Sequence, residues 1–142
     1  MNIHIEDKDR FELLQKATLF KVTIGSHMYG TANENSDQDI LHIYAVSRME
    51  QASFVKTHHQ YQYKEDGIDY IFVNIDAFLR NTLSGDSTIN FEVIHSDAML
   101  NDENFRGLHH IRNTFNNYNI VKSYLGLAKR DLNHMNNSKD EK

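Results

Sequence analysis

The chain has no cysteine, no proline and no tryptophan, and only six glycines in 142 residues. Lack of cysteine removes a disulfide framework and thiolate chemistry, and argues against a structural zinc site. Lack of proline leaves the turns to Gly, Asn and Asp. Long apolar runs are missing as well. The strongest, Tyr70-Ile71-Phe72-Val73, is a few residues long, far from the ~20 that span a bilayer. No charged and apolar leader opens the sequence, so secretion is unsupported and a cytoplasmic protein is expected. A basic surface is absent too. The formal charge is −5, with eight Lys/Arg against fifteen Asp/Glu over residues 1–99 and seven against five over residues 100–142. Phosphate contacts come mainly from Lys and Arg, so the acidic body argues against a general nucleic-acid-binding surface. It suits a site that gathers cations.

What is present fits one domain. Hydrophobic content of 39% and charged content of 25% are ordinary for a globular chain, and folding at this size buries roughly 68–70% of the unfolded surface. Residues 7–17 place Phe11, Leu13, Leu14 and Ala17 at near-helical spacing, with acids early, as a helix start favours. Strands are expected at 19–24, where Gly25 ends the run, and at 40–46, which reads ILHIYAV. Residues 61–64 and 68–73 flank Glu65-Asp66-Gly67 and read as a hairpin. Helices are expected at 75–83, at 87–95 with Ser87 as cap, at 102–116 and at 119–135, and the end of the chain should fray. The order gives an α+β fold: a short mixed β-sheet with flanking helices and a helical C-terminal segment. We divide it into a core over 1–100, helices packed on or beside it over 101–136, and a flexible tail over 137–142.

The chemistry concentrates in residues 25–40, GSHMYGTANENSDQDI. Gly-Ser-His-Met has the look of a remnant left by tag cleavage, but it follows twenty-four patterned residues and is read as native. The strand before it delivers Gly25 and Ser26 to a chain reversal, where glycine permits close backbone approach and serine offers a hydroxyl. A helix starting there would add free N–H groups for phosphate oxygens. Ten residues separate Ser26 from Asp37, after which Asp37-Gln38-Asp39 leads into the apolar strand. In extended backbone, residues i and i+2 share a face, so Asp37 and Asp39 set two carboxylates side by side. Like charges so close are relieved by a divalent cation or a raised pKa. Asp69, inside the apolar run Ile68-Asp69-Tyr70, supplies a third acid that needs a partner.

Ile24-Gly25-Ser26, then Asp37-Gln38-Asp39-Ile40, then Ile68-Asp69-Tyr70 resembles the DNA polymerase beta-like nucleotidyltransferase superfamily. A closer resemblance is to its RNA repair pathway DNA polymerase beta branch (RlaP), through Gly25-Ser26-His27-Met28-Tyr29-Gly30 and Ser36-Asp37-Gln38-Asp39. Ile75-Asp76-Ala77-Phe78-Leu79, Asn90-Phe91-Glu92-Val93-Ile94 and Tyr124-Leu125-Gly126 add to it. The resemblance covers roughly residues 19–130. It implies magnesium-dependent transfer of a nucleoside monophosphate from an NTP to an acceptor hydroxyl, with manganese as a substitute metal. The implied metal ligands and catalytic acids are Asp37, Asp39 and Asp69, and the nucleotide-binding residues are Gly25, Ser26 and Ser36. The implied acceptor is an RNA end, with a protein side chain as the alternative. Gln38 departs from the pattern, being polar where the superfamily usually has an apolar residue. The chain also stops after one long C-terminal helix where relatives continue into further helices.

Several features have plainer readings. Ser36 or Asp37 suits the cap of a turn in a solvated loop, Asp66 belongs in the hairpin turn, and Asp69 suits a charged sheet edge. Glu92 reads as a structural hydrogen-bonding acid. Nine histidines include the pairs His58-His59 and His109-His110, whose adjacent side chains diverge, and His27 and His42, which lie near the acids in sequence. Lys122, Lys129 and Arg130 are candidates for phosphate or nucleic-acid contact or else the wet face of a helix. A non-catalytic nucleotide-binding or regulatory protein on the same scaffold is the rival function. No membrane partner is expected, and oligomeric state is left open.

Overall fold

The computed structural model describes residues 3–4, 8–34, 36–46 and 60–137. Contacts divide the chain into two compact units, Met1–Phe78 and Leu79–Lys142.

The first unit holds a five-stranded mixed sheet in the order β1-β4-β5-β3-β2. Its strands are β1 (Ile3–His4), β2 (Thr18–Ile24), β3 (Gln38–Tyr44), β4 (Gln60–Glu65) and β5 (Ile68–Asn74). Neighbours β3 and β5 run parallel, while β2–β3 and β4–β5 are antiparallel. The expected strands are all present; three are longer by a residue or two, and the one expected at 40–46 runs instead over Gln38–Tyr44. β1, only two residues long, left no readable period in the sequence. Asp66 and Gly67 join β4 to β5 with φ of 52° and 79°, the pair of positive angles that a tight two-residue hairpin turn demands.

Helix α1 (Lys8–Lys16) buries Phe11 and Leu14 and leaves Leu13 exposed. Phe11 stacks on Tyr63 at 4.1 Å between ring centroids and meets Phe72 edge-on at 5.7 Å. With Leu14, Tyr44 and Tyr61 these rings form the core on one face of the sheet. Side chains alternate along each strand, so that face also carries Ile40, His42 and Tyr70, and the other carries Asp39, Leu41, Asp69 and Ile71. Asn74 then starts α2 (Ile75–Ser84), its Oδ1 accepting the Asp76 N–H at 2.8 Å.

The second unit, from Leu79 on, is helical. It contains the rest of α2, then α3 (Thr88–His95), capped as expected by Ser87, whose Oγ accepts the Asn90 N–H at 3.2 Å. The unforeseen short α4 (Asp97–Leu100) is capped in the same way by Ser96. A continuous helix over 102–116 is not formed. Residues 101–107 make turns, followed by α5 (Leu108–Ile111) and a 3-10 turn (Arg112–Phe115). Asp102 explains the failure: its Oδ1 accepts the Asn104 N–H at 2.8 Å, a local bond that competes with helix. Helix α6 (Tyr118–Asn137) begins at Asn117, whose Oδ1 accepts the N–H groups of Asn119 and Ile120. Only Ile120 of α6 is buried, whereas Tyr118, Val121, Leu125, Leu132 and Met135 are exposed. α6 is pinned within the unit by Ser123 Oγ donating to Gly85 O at 2.6 Å and Tyr124 OH donating to Glu92 Oε1 at 2.7 Å. Glu92 thus has the structural role read from its neighbours. Residues 138–142 of the expected tail lie outside the described residues.

Candidate active site

The sheet register assembles the acids. Asp39 of β3 is directly opposite Asp69 of β5 in the parallel pair, so both carboxylates stand at one level on one face. Asp37, exposed, immediately precedes β3. Burial first, then the charges of Asp69 and Asp37, push the Asp39 carboxyl above its usual range, while Lys64 and His27 act in the opposite sense. A group that is held harder to ionise by two neighbouring carboxylates marks a concentration of negative charge.

The Gly-Ser turn lies against this acid. Ile24 pairs with Asp39 at the end of the β2–β3 ladder, so the next residue, Gly25, leaves the sheet beside it. Gly25 has φ of +70°, and a Cβ there would come within 3.1 Å of Asp39 Oδ2. Glycine meets both the turn and this approach without strain. Residues Gly25–His27 form one 3-10 turn, closed by Met28 N–H donating to Gly25 O at 3.0 Å and Thr31 N–H donating to Ser26 O at 2.9 Å. The helix start expected there is absent, because the chain turns back at Met28–Gly30 instead of continuing. Ser26 Oγ makes no hydrogen bond among the described residues and is half-buried beside the acids.

Ser36 holds the loop before β3. Its Oγ accepts the Asn33 N–H at 2.9 Å and its own N–H donates to Asn33 O at 3.0 Å, the turn-capping role that a solvated loop suggests. His27 Nε2 lies 3.5 Å from Ser36 O, tying the Gly-Ser turn to that loop. His42, three residues beyond Asp39, is on the opposite face of the sheet and buried, so its nearness in sequence is not nearness to the acids. Gln38 alternates to that same opposite face and is half-buried. Asp66 is in the hairpin turn, away from candidacy as third acid. Lys122, Lys129 and Arg130 are exposed on α6 in the second unit. Lys122 Nζ lies 5.5 Å from the Tyr118 ring centre, and Arg130 pairs with Asp131 at 3.2 Å. His58 and His59 lie outside the described residues.

Sequence reasoning missed Lys64. It is exposed, opposite Asp69 in the β4–β5 ladder, and on the same face as the acids. The signal was there: a two-residue turn at Asp66-Gly67 sets Glu65 against Ile68 and Lys64 against Asp69.

Carboxylates fit a hard divalent cation. Among the described residues, no group of three His, Asp or Glu side chains closes tightly enough to hold one ion. The acids form an open set. Asp37, Asp39 and Asp69 are the side chains that could hold such a cation.

Among the described residues no helix is long and apolar enough to cross a membrane. Neither the curated proteins nor the solved structures yield a match. The family model for the RNA repair pathway DNA polymerase beta family (RlaP) matches residues 3–142, nearly the entire sequence, and the chain therefore belongs to that family.

Proposed function

We propose that the chain is a magnesium-dependent nucleotidyltransferase that moves a nucleoside monophosphate from an NTP to an acceptor hydroxyl, with an RNA end as acceptor. The observation carrying this reading is the pairing of Asp39 with Asp69 on one sheet face, beside a glycine turn with no room for a Cβ next to Asp39. The chemistry that bound magnesium would supply there is Lewis-acid stabilisation of the attacking and leaving oxygens. Asp37, Asp39 and Asp69 would hold the metal, Asp69 from the acceptor side. The acceptor oxygen attacks the α-phosphorus as the bond to pyrophosphate breaks. Gly25 brings backbone close to the triphosphate, and Ser26 Oγ, with no partner of its own among the described residues, donates to a phosphate oxygen. Lys64 adds positive charge beside Asp69, where the acceptor approaches. Absence of cysteine fits a reducing, cytoplasmic setting.

A second reading, a nucleotide-binding scaffold without turnover, draws on the openness of the acidic set and on polar Gln38 beneath it. One experiment separates them. Labelled NTPs are incubated with magnesium or manganese and with RNA, DNA and protein acceptors, comparing the wild type with Asp39→Asn. Label on RNA that disappears in the variant supports the proposal, and label on protein moves the acceptor to a side chain. No transfer above the variant leaves the scaffold reading.

A further inference from the structure

Helix α6 carries two apolar stripes, and its own unit uses one of them. Ile120 is buried, with Ser123, Tyr124 and Leu127 half-buried, on the side pinned to Gly85 and Glu92. The other stripe is Tyr118, Val121, Leu125, Ala128, Leu132 and Met135, and all six are exposed. Its steps alternate three, four, three, four and three residues. That alternation is the seam along which one helix meets another. At 1.5 Å per residue the seam runs ~26 Å.

The second half of α6 has no support from its own unit. Over residues 128–137 every side chain is exposed. Helices in proteins are held mostly by packing of an amphipathic face, and isolated ones shorter than ~12–15 residues are marginal in water. This half nonetheless presents such a face, with Leu132 57% and Met135 61% exposed on one side. A helix laid along the seam would supply the missing packing.

Charge selects the occupant. Lys122 and Lys129 lie seven residues apart on one flank of the seam, both exposed. Lys122 Nζ is 5.5 Å from the Tyr118 ring centre, and neither lysine has a carboxylate partner among the described residues. On the other flank Asp131 is paired with Arg130, and Tyr124 OH donates to Glu92. A second copy of α6 does not supply the missing anions. Laid parallel it would bring Tyr124 to Lys129, and laid antiparallel about its centre it would bring lysine to lysine. RNA phosphates would satisfy the lysines and leave Leu125, Leu132 and Met135 in water. We propose that this seam is a docking surface for an amphipathic helix of a partner protein, one with an apolar stripe at heptad spacing and acidic residues seven apart along the flank that faces Lys122 and Lys129. The two apolar stripes interdigitate, and the carboxylates meet the two lysines.

Two synthetic three-heptad peptides serve as probes, both with Leu in the seam, one with Glu and the other with Lys along the flanks. Fluorescence anisotropy with the full chain at low salt reads their binding. The Glu peptide is expected to bind saturably, one to one, and at least tenfold more tightly than the Lys peptide. Lys122→Glu with Lys129→Glu should invert that preference. Leu125→Gln with Leu132→Gln should weaken the Glu peptide at least tenfold. Both leucines are exposed and glutamine keeps helix propensity, so the circular dichroism of this variant should match the wild type. Equal affinity for the two peptides, or undiminished binding by the leucine variant, overturns the proposal. So does a chain that sediments as a dimer and becomes a monomer in the leucine variant, which gives the seam to a second copy. Labelled RNA that binds the wild type and the leucine variant alike, and is lost from the lysine variant, overturns it in favour of nucleic acid.

Discussion

Gly25 stands beside Asp39 at the end of the β2–β3 pair, where a Cβ on the glycine would come within 3.1 Å of the carboxylate Oδ2. Gly25→Ala therefore does two things at once. The alanine must hold φ of +70°, which costs roughly 1–2 kcal/mol, and its methyl displaces the acid. Denaturant unfolding should show a loss of about that size. Nucleotide transfer, where measured, should fall further, since the Asp39 carboxylate must shift by a few tenths of an ångström to make room and catalysis is sensitive to small misplacements. Unchanged transfer in a destabilised variant would make the glycine a purely conformational requirement.

Lys64 faces Asp69 from the neighbouring strand. As a positive charge at a cation-binding face, it opposes metal entry. Lys64→Met should tighten magnesium binding several-fold in low-salt calorimetry, with the gain shrinking as salt rises toward 1 M, where the screening length is ~3 Å. Weaker magnesium binding in the variant would mean that Lys64 orders the acids instead of competing with the ion.

In the helical unit, Gly85 has φ of +74°, and a Cβ there would stand 2.5 Å from Ile120 N, at the start of α6. Backbone cannot yield as a flexible side chain can. Gly85→Ala should destabilise by roughly 2–5 kcal/mol, from the strained φ and overpacking. Hydrogen exchange in α6 should report the loss first. A variant with wild-type stability would show that α6 is free to shift.

Burial, and then the charge of Lys21, holds His42 down to about 4 from the usual 6.5. Between those values the unfolded chain binds the proton that the folded chain refuses. The stability contributed by a neutral His42 is therefore complete above pH 6.5 and is lost as pH falls toward about 4. His95 is shifted in the same direction, chiefly by burial, so the two add. His42→Gln should flatten the stability profile in that window by up to about 1.4 kcal/mol per pH unit. An unchanged slope would assign the acid sensitivity elsewhere.

The strands were legible because β-branched and aromatic residues cluster between Gly and Asp turns. The acid pair Asp37 and Asp39 was legible from spacing alone. The placement of Asp69 against Asp39 was not, since parallel register between β3 and β5 is set by the intervening chain and leaves no local mark. Helix 102–116 was misread because its apolar residues, Phe105, Leu108 and Ile111, keep helical spacing while Asp102 and Asn104 prefer their own bond. His42 shows the limit of reading by proximity. Three residues along a strand from Asp39 is an odd step, which puts it on the other face.

The central claim is that Asp37, Asp39 and Asp69 form one cation-binding face, and the melting temperature with and without magnesium tests it most directly. Binding to the native state alone stabilises by about 2.7 kcal/mol at a hundred times Kd, so the wild type should melt several degrees higher with saturating magnesium. The double variant Asp37→Asn, Asp39→Asn should lose that shift. Without metal it should melt at the wild-type temperature or above, because the burial and then the neighbouring carboxylate charges that raise Asp39 no longer act on a charged side chain there. A double variant that keeps the full magnesium shift would contradict the site.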